Sequence, residues 1–354
     1  MKQPDAAPPL ADLGLIDDLV IHYRAFHALM AGVTLGVFDA LASEGGGPRS
    51  APSTAAQIKA DPRATEILLD ALASLGFVVK SGGQYRNSTL ADHHLRSDSP
   101  ASLCSNLQYQ QLLAEPWAGL PQIIKTGHPA VSLPSLLGGH PEFVERYIEG
   151  MADISRRATG ELADWIGRVP CVGSETHGNL RAALDVGGGG AVYAEALAQR
   201  NPKARITVMD VPSTLKVAAS RLSDSKFRPQ IELRQGDYHL SDFGVDAFDL
   251  VLFSHVLHDE GEEENKLLFS KTLRSLRPGG VVVIHDFMPA PDHAHPVFPC
   301  LFSVHMLIYT HKGKAYSADE YEAWLRDCGF VDPRRTTICP DRPTATTAIL
   351  ATRP

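Results

Sequence analysis

The sequence predicts an α/β chain. A doubly wound, Rossmann-like parallel sheet is expected over residues 180–354, behind a mostly helical, winged-helix-like segment at 1–105 and linking helices at 106–179. Three observations carry this. From Leu180 onward, short apolar runs alternate with helix-period runs, as in a parallel sheet whose ligands sit at the carboxyl ends of the strands. The first such run, RAALDVGG, ends in glycines. Upstream, two short helices lead into a two-strand ribbon, the order of a winged helix.

The elements follow in order. LIDDLVIHYRAFHALMAGVTLGVFDAL puts Leu15, Leu19, Ile21, Tyr23, Phe26, Leu29 and Met30 on one broad helical face. Glu44-Gly45-Gly46-Gly47-Pro48 is a loop. TAAQIKADPRATEILLDALASLG gives two helices, and Phe77-Val78-Val79, a Gly82-Gly83 turn and Tyr85 give the ribbon. Residues 106–170 read as helices broken at Pro116, Pro121, Pro129, Pro134 and Pro141, and EFVERYIEGMADISRRATGELADWI is a long amphipathic stretch that covers the ligand site. Strands are expected at RAALDVGG, ARITVMDVP, IELRQGDY, FDLVLFSHVLHD, VVVIHDFM and TTAILATRP. EEENKLLFSKTLRSLRPGG is a helix with a Pro-Gly-Gly stop, its Glu262-Glu263-Glu264 start suited to the helix dipole, and SADEYEAWLRDCGF is another helix.

Composition excludes several classes. The 354 residues suit about two domains, and 44% hydrophobic with 21% charged residues supports real cores and excludes wholesale disorder. Net charge −8 argues against a nucleic-acid binder. The would-be recognition helix, RATEILLDALASLG, is acidic and apolar, which suits a packing or dimerisation module. No apolar run reaches about 18 residues, so no membrane span is expected, and MKQPDAAPPLADLG lacks the features of a secretory signal. Five cysteines, odd in number and without CxxC, argue against a disulfide framework and fit a reducing cytoplasm.

LDVGGGGAVYAEALAQRNPKARITVMDVP carries the strongest signal. Asp185 precedes Gly187, Gly188, Gly189 and Gly190 at a strand end, where glycine permits close approach of a ligand. Asp210 ends the next strand, where an acid can accept ribose hydroxyls, and Asp237 follows the third, where an acid can meet an adenine amine. A nicotinamide fingerprint fails, because the third glycine of GxGxxG is Val192. The loop resembles motif I of class I S-adenosylmethionine-dependent methyltransferases.

The chain is similar along nearly its whole length to the caffeic-acid-type and acetylserotonin-type O-methyltransferases. LDVGGGGA, MDVP, SHVLHD, RPGGVVVI and MLIYTHKGKAYSADEYEAWLRDCGF carry the likeness, with Ala191 replacing the family's last glycine. The resemblance implies an N-terminal dimerising winged helix, a homodimer and a small-molecule acceptor. It implies a cofactor site of Asp185, Gly187, Gly189, Asp210, Asp237 and Ser254. It also implies a base at His258, a neutral imidazole being the natural base for a phenol.

Two departures point elsewhere. His285-Asp286 stands where plant members carry a glutamate, not cleanly in register, and Ala315 stands where they carry a second one, so His258 lacks evident orienting acids. His305 stands where animal members have asparagine. His258, Asp259 and His305 then form a zinc- or iron-ligand set, as in the small branch of the family that methylates the β-carbon of 2-oxo acids with a bound metal. Arg146, Arg156 and Arg157 are candidates for holding the substrate carboxylate, and Met151, Trp117 and Phe298 for walling its pocket. The expected function is methyl transfer to a small metabolite, leaning to metal-assisted C-methylation of a 2-oxo acid. O-methylation of a phenolic or enolic hydroxyl by His258 is the alternative, and a non-catalytic winged-helix regulator the outside one. His305 and Asp259 also read as a core histidine and a helix cap, and Asp286 as a strand cap. His293 and His295 are read as solvated, and His22, His27, His93, His94, His128, His140, His177, His239 and His311 as surface or packing residues.

Overall fold

The computed structural model describes residues 13–42, 47–129, 131–132, 135–136, 141–168 and 180–354. The readings made for Glu44 to Gly46, Pro134, His140, Cys171 and His177 lie outside the described residues. The chain divides into two compact units, Met1–Gln111 and Leu112–Pro354.

The first unit contains α1 (Leu13–Thr34), α2 (Val37–Ala42), β1 (Arg49–Ser50), α3 (Ala51–Ile58), α4 (Pro62–Ser74), β2 (Val78–Ser81), β3 (Gln84–Asn87), α5 (Thr89–His94) and most of α6 (Cys104–Leu112). Ser50 and Asp61 cap α3 and α4 by accepting the N–H groups of Ser53 and Ala64. A proline in the first turn of each helix spares a donor that has no partner there. The ribbon pairs antiparallel in the order β1-β3-β2, and Tyr85 closes it onto α4 by donating to Asp70 at 2.7 Å. Phe38, Leu69, Leu72 and Tyr85 form the core. Leu15, Leu19, Ile21 and Tyr23 of the apolar α1 face remain more than half exposed.

The second unit starts with α7 (Ala114–Ala118), α8 (Leu120–Thr126) and α9 (Pro141–Ile166). The sheet region follows: β4 (Ala182–Val186), α10 (Val192–Arg200), β5 (Arg205–Asp210), α11 (Pro212–Arg221), β6 (Ile231–Gln235), β7 (Phe248–Ser254), α12 (Glu262–Ser275), β8 (Leu276–Asp286), α13 (Val297–Tyr309), α14 (Ala318–Asp327), β9 (Val331–Ile338) and β10 (Thr346–Thr352). Strand order is β6-β5-β4-β7-β8-β10-β9. The first five strands run parallel, and β10 pairs antiparallel with both β8 and β9. Alternate residues serve opposite faces: Ala183, Val208, Leu250, Leu252 and Val283 pack in one core, Leu184, Met209, Val251, Phe253 and Ile284 in the other. Burial on both faces is why these strands read as continuous apolar runs.

Two details differ from expectation. Arg277-Pro278-Gly279-Gly280 does not end the helix; β8 already starts at Leu276 and passes through it, with Gly279 at φ 73°. β9 was unforeseen because, as an edge strand, it is mostly exposed and reads polar. Among the described residues, Cys104, Cys300, Cys328 and Cys339 form no disulfide. Among the described residues no helix is long and apolar enough to cross a membrane.

Candidate active site

Chain order reverses at β4, which lies between β5 and β7, so a crevice opens at the carboxyl ends of these strands. The glycine loop lines it. Gly187 has φ 64° and donates its N–H to the Met209 carbonyl at 2.8 Å. A Cβ at Gly187 would meet Val256 at 2.7 Å, and one at Gly188 would meet Asp185 Oδ2 at 2.7 Å and Val208 at 2.8 Å. Gly189 has φ 53° and faces open space. Ala191, in place of the family's glycine, keeps the left-handed φ of 61° and is fully buried.

The three acids occupy different settings. Asp210 accepts the Gly189 N–H on Oδ2 at 2.9 Å and the Val211 N–H on Oδ1 at 2.7 Å. Burial raises its carboxyl, and those bonds oppose the rise. Asp185 lies beneath the loop with neither carboxylate oxygen bonded. Burial, then the charge of Asp210, pushes it up to about 8. Asp237 is exposed in the turn after β6 and accepts the His239 N–H at 2.8 Å. A buried acid with unmet oxygens and glycines that admit no Cβ fit a cationic cofactor pressed against the loop. Tyr147 of α9, missed in the sequence, lies within charge range of Asp259 and Asp210.

His258 sits in a 3₁₀ turn, Leu257–Asp259, just past β7, and is 5% exposed. Its Nδ1 lies 2.7 and 2.9 Å from the two carboxylate oxygens of Asp286, the last residue of β8. The neighbouring register, Ser254 opposite His285, creates this pair. The expected lack of a carboxylate beside His258 is therefore corrected: Asp286 lies against its Nδ1. Because a carboxylate accepts, Nδ1 carries the proton and Nε2 presents its lone pair. Burial lowers the His258 pKa, but the charges of Asp286 and Asp259 and the Asp286 hydrogen bond outweigh it, so the net shift is upward. Asp286 itself is held well below the carboxylate range: burial would raise it, and His258 and His255 overcome that.

The expected metal-ligand set does not form. Asp259 Oδ1 is 3.7 Å from His258 Nε2. His305 stacks on Phe302 and Trp117, and the Trp117 indole N–H faces its Nδ1 at 3.4 Å. Burial, then His258, pushes the His305 pKa down to about 4. Among the described residues, the three ligand-type groups within 4.8 Å of one another are instead His255, His258 and Asp286. There the carboxylate already bonds His258 Nδ1 and the Phe287 N–H, the pattern of a hydrogen-bonded base rather than an ion's cage.

The arginines are likewise not gathered. Arg156 turns back to Asp153 on its own helix, Arg157 lies against the loop of Cys339 and Arg342, and Arg146 is exposed. Met151 is half-buried. Beside His258 the wall is aromatic instead: the Phe302 ring meets it edge-on at 4.8 Å, and Phe287, Phe298, His305 and Trp117 continue the contact chain. Ser254 Oγ turns to His285 Nδ1 at 3.0 Å, and the methyl of Ala315 is fully buried.

Residues 139–331 match the model of the O-methyltransferase domain, and residues 18–97 that of the O-methyltransferase dimerisation domain. The chain belongs to the O-methyltransferase family. A 3-hydroxy-5-methyl-1-naphthoate 3-O-methyltransferase of Streptomyces sahachiroi is 29% identical over 90% of each chain. An L-tyrosine C(3)-methyltransferase of Streptomyces lavendulae is 26% identical over 93% of this chain and 91% of its own. The crystal structure of human N-acetylserotonin methyltransferase in complex with S-adenosylmethionine superposes with TM-score 0.83 at 25% identity, over 98% of this chain and 99% of that one. This O-methyltransferase family member is an S-adenosylmethionine-dependent methyltransferase acting on small metabolites.

Proposed function

We propose that this methyltransferase methylates a phenolic hydroxyl of a small aromatic metabolite, with His258 as general base and Asp286 as the acid that orients it. The observation that carries this is the two-oxygen contact between Asp286 and His258 Nδ1, which leaves Nε2 as proton acceptor beside an aromatic wall. S-adenosylmethionine supplies an electrophilic methyl group on a positively charged sulfur. Asp185, Gly187, Gly189, Asp210, Asp237 and Ser254 are the residues proposed to hold it, with Asp210 at the ribose and Asp237 at the adenine. Phe287, Phe298, Phe302 and Trp117 orient the flat acceptor and exclude water. His258 Nε2 takes the hydroxyl proton as the oxygen attacks, and Asp286 stabilises the imidazolium that forms. The dimerisation-domain match and the exposed α1 face support a homodimer. The helices α7, α8 and α9 are proposed to cover the site.

The tyrosine C-methylating relative favours a second reading, in which the same base removes the phenol proton, the ring carbon beside it attacks, and that carbon then gives up its own hydrogen as a proton to restore the aromatic ring. Methylation of a 2-oxo acid finds less support, because its ligand set and its arginine are not gathered. The test is a panel of hydroxynaphthoates, other phenols and 2-oxo acids with methyl-labelled cofactor, the product read by NMR as O-methyl or C-methyl. Turnover of phenols is expected; turnover of 2-oxo acids alone overturns the proposal.

A further inference from the structure

We propose that His255 is a positioning residue for the base: its Nδ1–H bonds Oδ1 of Asp286 and fixes the carboxylate that His258 depends on. The inference rests on the reading of His258 as base. It begins from the backbone. His255 directly follows β7 and has φ 57°, a conformation that costs a non-glycine residue energy and is kept where surrounding structure demands it. Its N–H donates to the His285 carbonyl at 2.9 Å, and its ring is held between His285 and Phe287 at centroid distances of 4.8 and 4.7 Å.

This strained placement brings Nδ1 to 3.5 Å from Asp286 Oδ1. Nδ1 is buried and has no hydrogen-bond partner at normal length, so it needs an explanation. Two other imidazoles lie near: His258 has its Nδ1 engaged by Asp286, and His285 has its Nε2 bonded to Thr346 Oγ1 at 2.6 Å and its Nδ1 against the hydroxyls of Ser254 and Tyr193 at 3.0 and 3.3 Å. Asp286 is the acceptor left. Contacts of this kind are commonly long in a resting enzyme and tighten around the reacting complex. Asp286 has capacity for the bond, since a carboxylate offers about four acceptor positions. Its present donors are the Phe287 N–H and His258. The imidazole of His255 is what anchors the base's partner from another side.

The experiment is nitrogen-15 NMR of histidine-labelled protein at about pH 8, where free imidazole is neutral, with His255 assigned by its loss in His255→Asn. The proposal requires the proton of His255 on Nδ1; a proton on Nε2, with Nδ1 bare, overturns it. This readout needs neither acceptor nor turnover. With a phenol that the parent methylates, His255→Leu is expected to lower kcat about tenfold without changing cofactor affinity, the loss of one hydrogen bond to a charged group. His255→Asn, which tolerates the same φ and keeps an N–H, recovers most of that loss. Equal activity of the two variants overturns the proposal. Activity surviving in His258→Gln overturns the base reading itself, a separate result.

Discussion

Replacing Asp286 by asparagine keeps the size of the side chain and an oxygen for the Phe287 N–H, which Asp286 accepts at 2.8 Å. It removes the charge that faces His258 Nδ1 at 2.7 and 2.9 Å. A hydrogen bond to a charged group nets about 1.5–3 kcal/mol, and each 1.4 kcal/mol is about tenfold in rate. Loss of the charge alone is therefore about 10- to 100-fold. The amide can also turn its N–H toward Nδ1, which drives the imidazole proton to Nε2 and removes the lone pair that accepts the substrate proton. General-base catalysis is worth about 10²–10⁴, so kcat is expected to fall by about 10²–10⁴ in Asp286→Asn. The assay is single-turnover transfer from methyl-labelled cofactor to a phenol, with cofactor affinity measured by calorimetry and expected within about twofold of the parent. A variant that transfers methyl within about threefold of the parent refutes the pairing argument.

Three other outcomes follow from the same structure. His258 must be neutral to act and its pKa is raised, so the rate falls as pH drops through a midpoint above 6.5 and is flat above it; a midpoint below 6.5 in the pH–rate profile contradicts this. Asp185, pushed up to about 8, is protonated at pH 7 without cofactor, and a bound cation favours its ionised form. Cofactor binding at pH 7 should then release about one proton, seen by calorimetry in buffers of different ionisation heat, and affinity should rise from pH 7 to 8; no release contradicts the reading of Asp185. Gly188→Ala forces a methyl against Asp185 Oδ2 at 2.7 Å and Val208 at 2.8 Å. About 1–3 kcal/mol of stability and several degrees of Tm should be lost; an unchanged melting curve refutes the close fit.

The parallel sheet was legible because β4, β5, β7 and β8 are buried on both faces and spell apolar runs. β9 was not, since an edge strand has no apolar face to announce it. The glycine loop and His258 stood out because a run of glycines at a strand end and a histidine just past another strand leave local marks. The partner of His258 was not: it comes from 28 residues away, through the register of two parallel strands. Laying the ends of FDLVLFS and VVVIHD side by side sets Asp286 level with His255, and only the 3₁₀ turn beyond β7, which the sequence does not announce, returns His258 to it. His305 was read as a ligand from residue type alone, which does not show its surroundings; Trp117, 188 residues away, faces its Nδ1. His255 escaped notice for a similar reason, as its meaning lies in a positive φ and a neighbour on another strand.

In the proposed mechanism methyl transfer runs through proton removal by His258. The most direct test is His258→Gln, which fills the same buried place without a titrating nitrogen, measured for cofactor affinity by calorimetry and for single-turnover transfer to a phenol. Affinity within about threefold of the parent and transfer slower by at least about 10² are expected. Transfer within about threefold of the parent, with the cofactor bound normally, would contradict that mechanism.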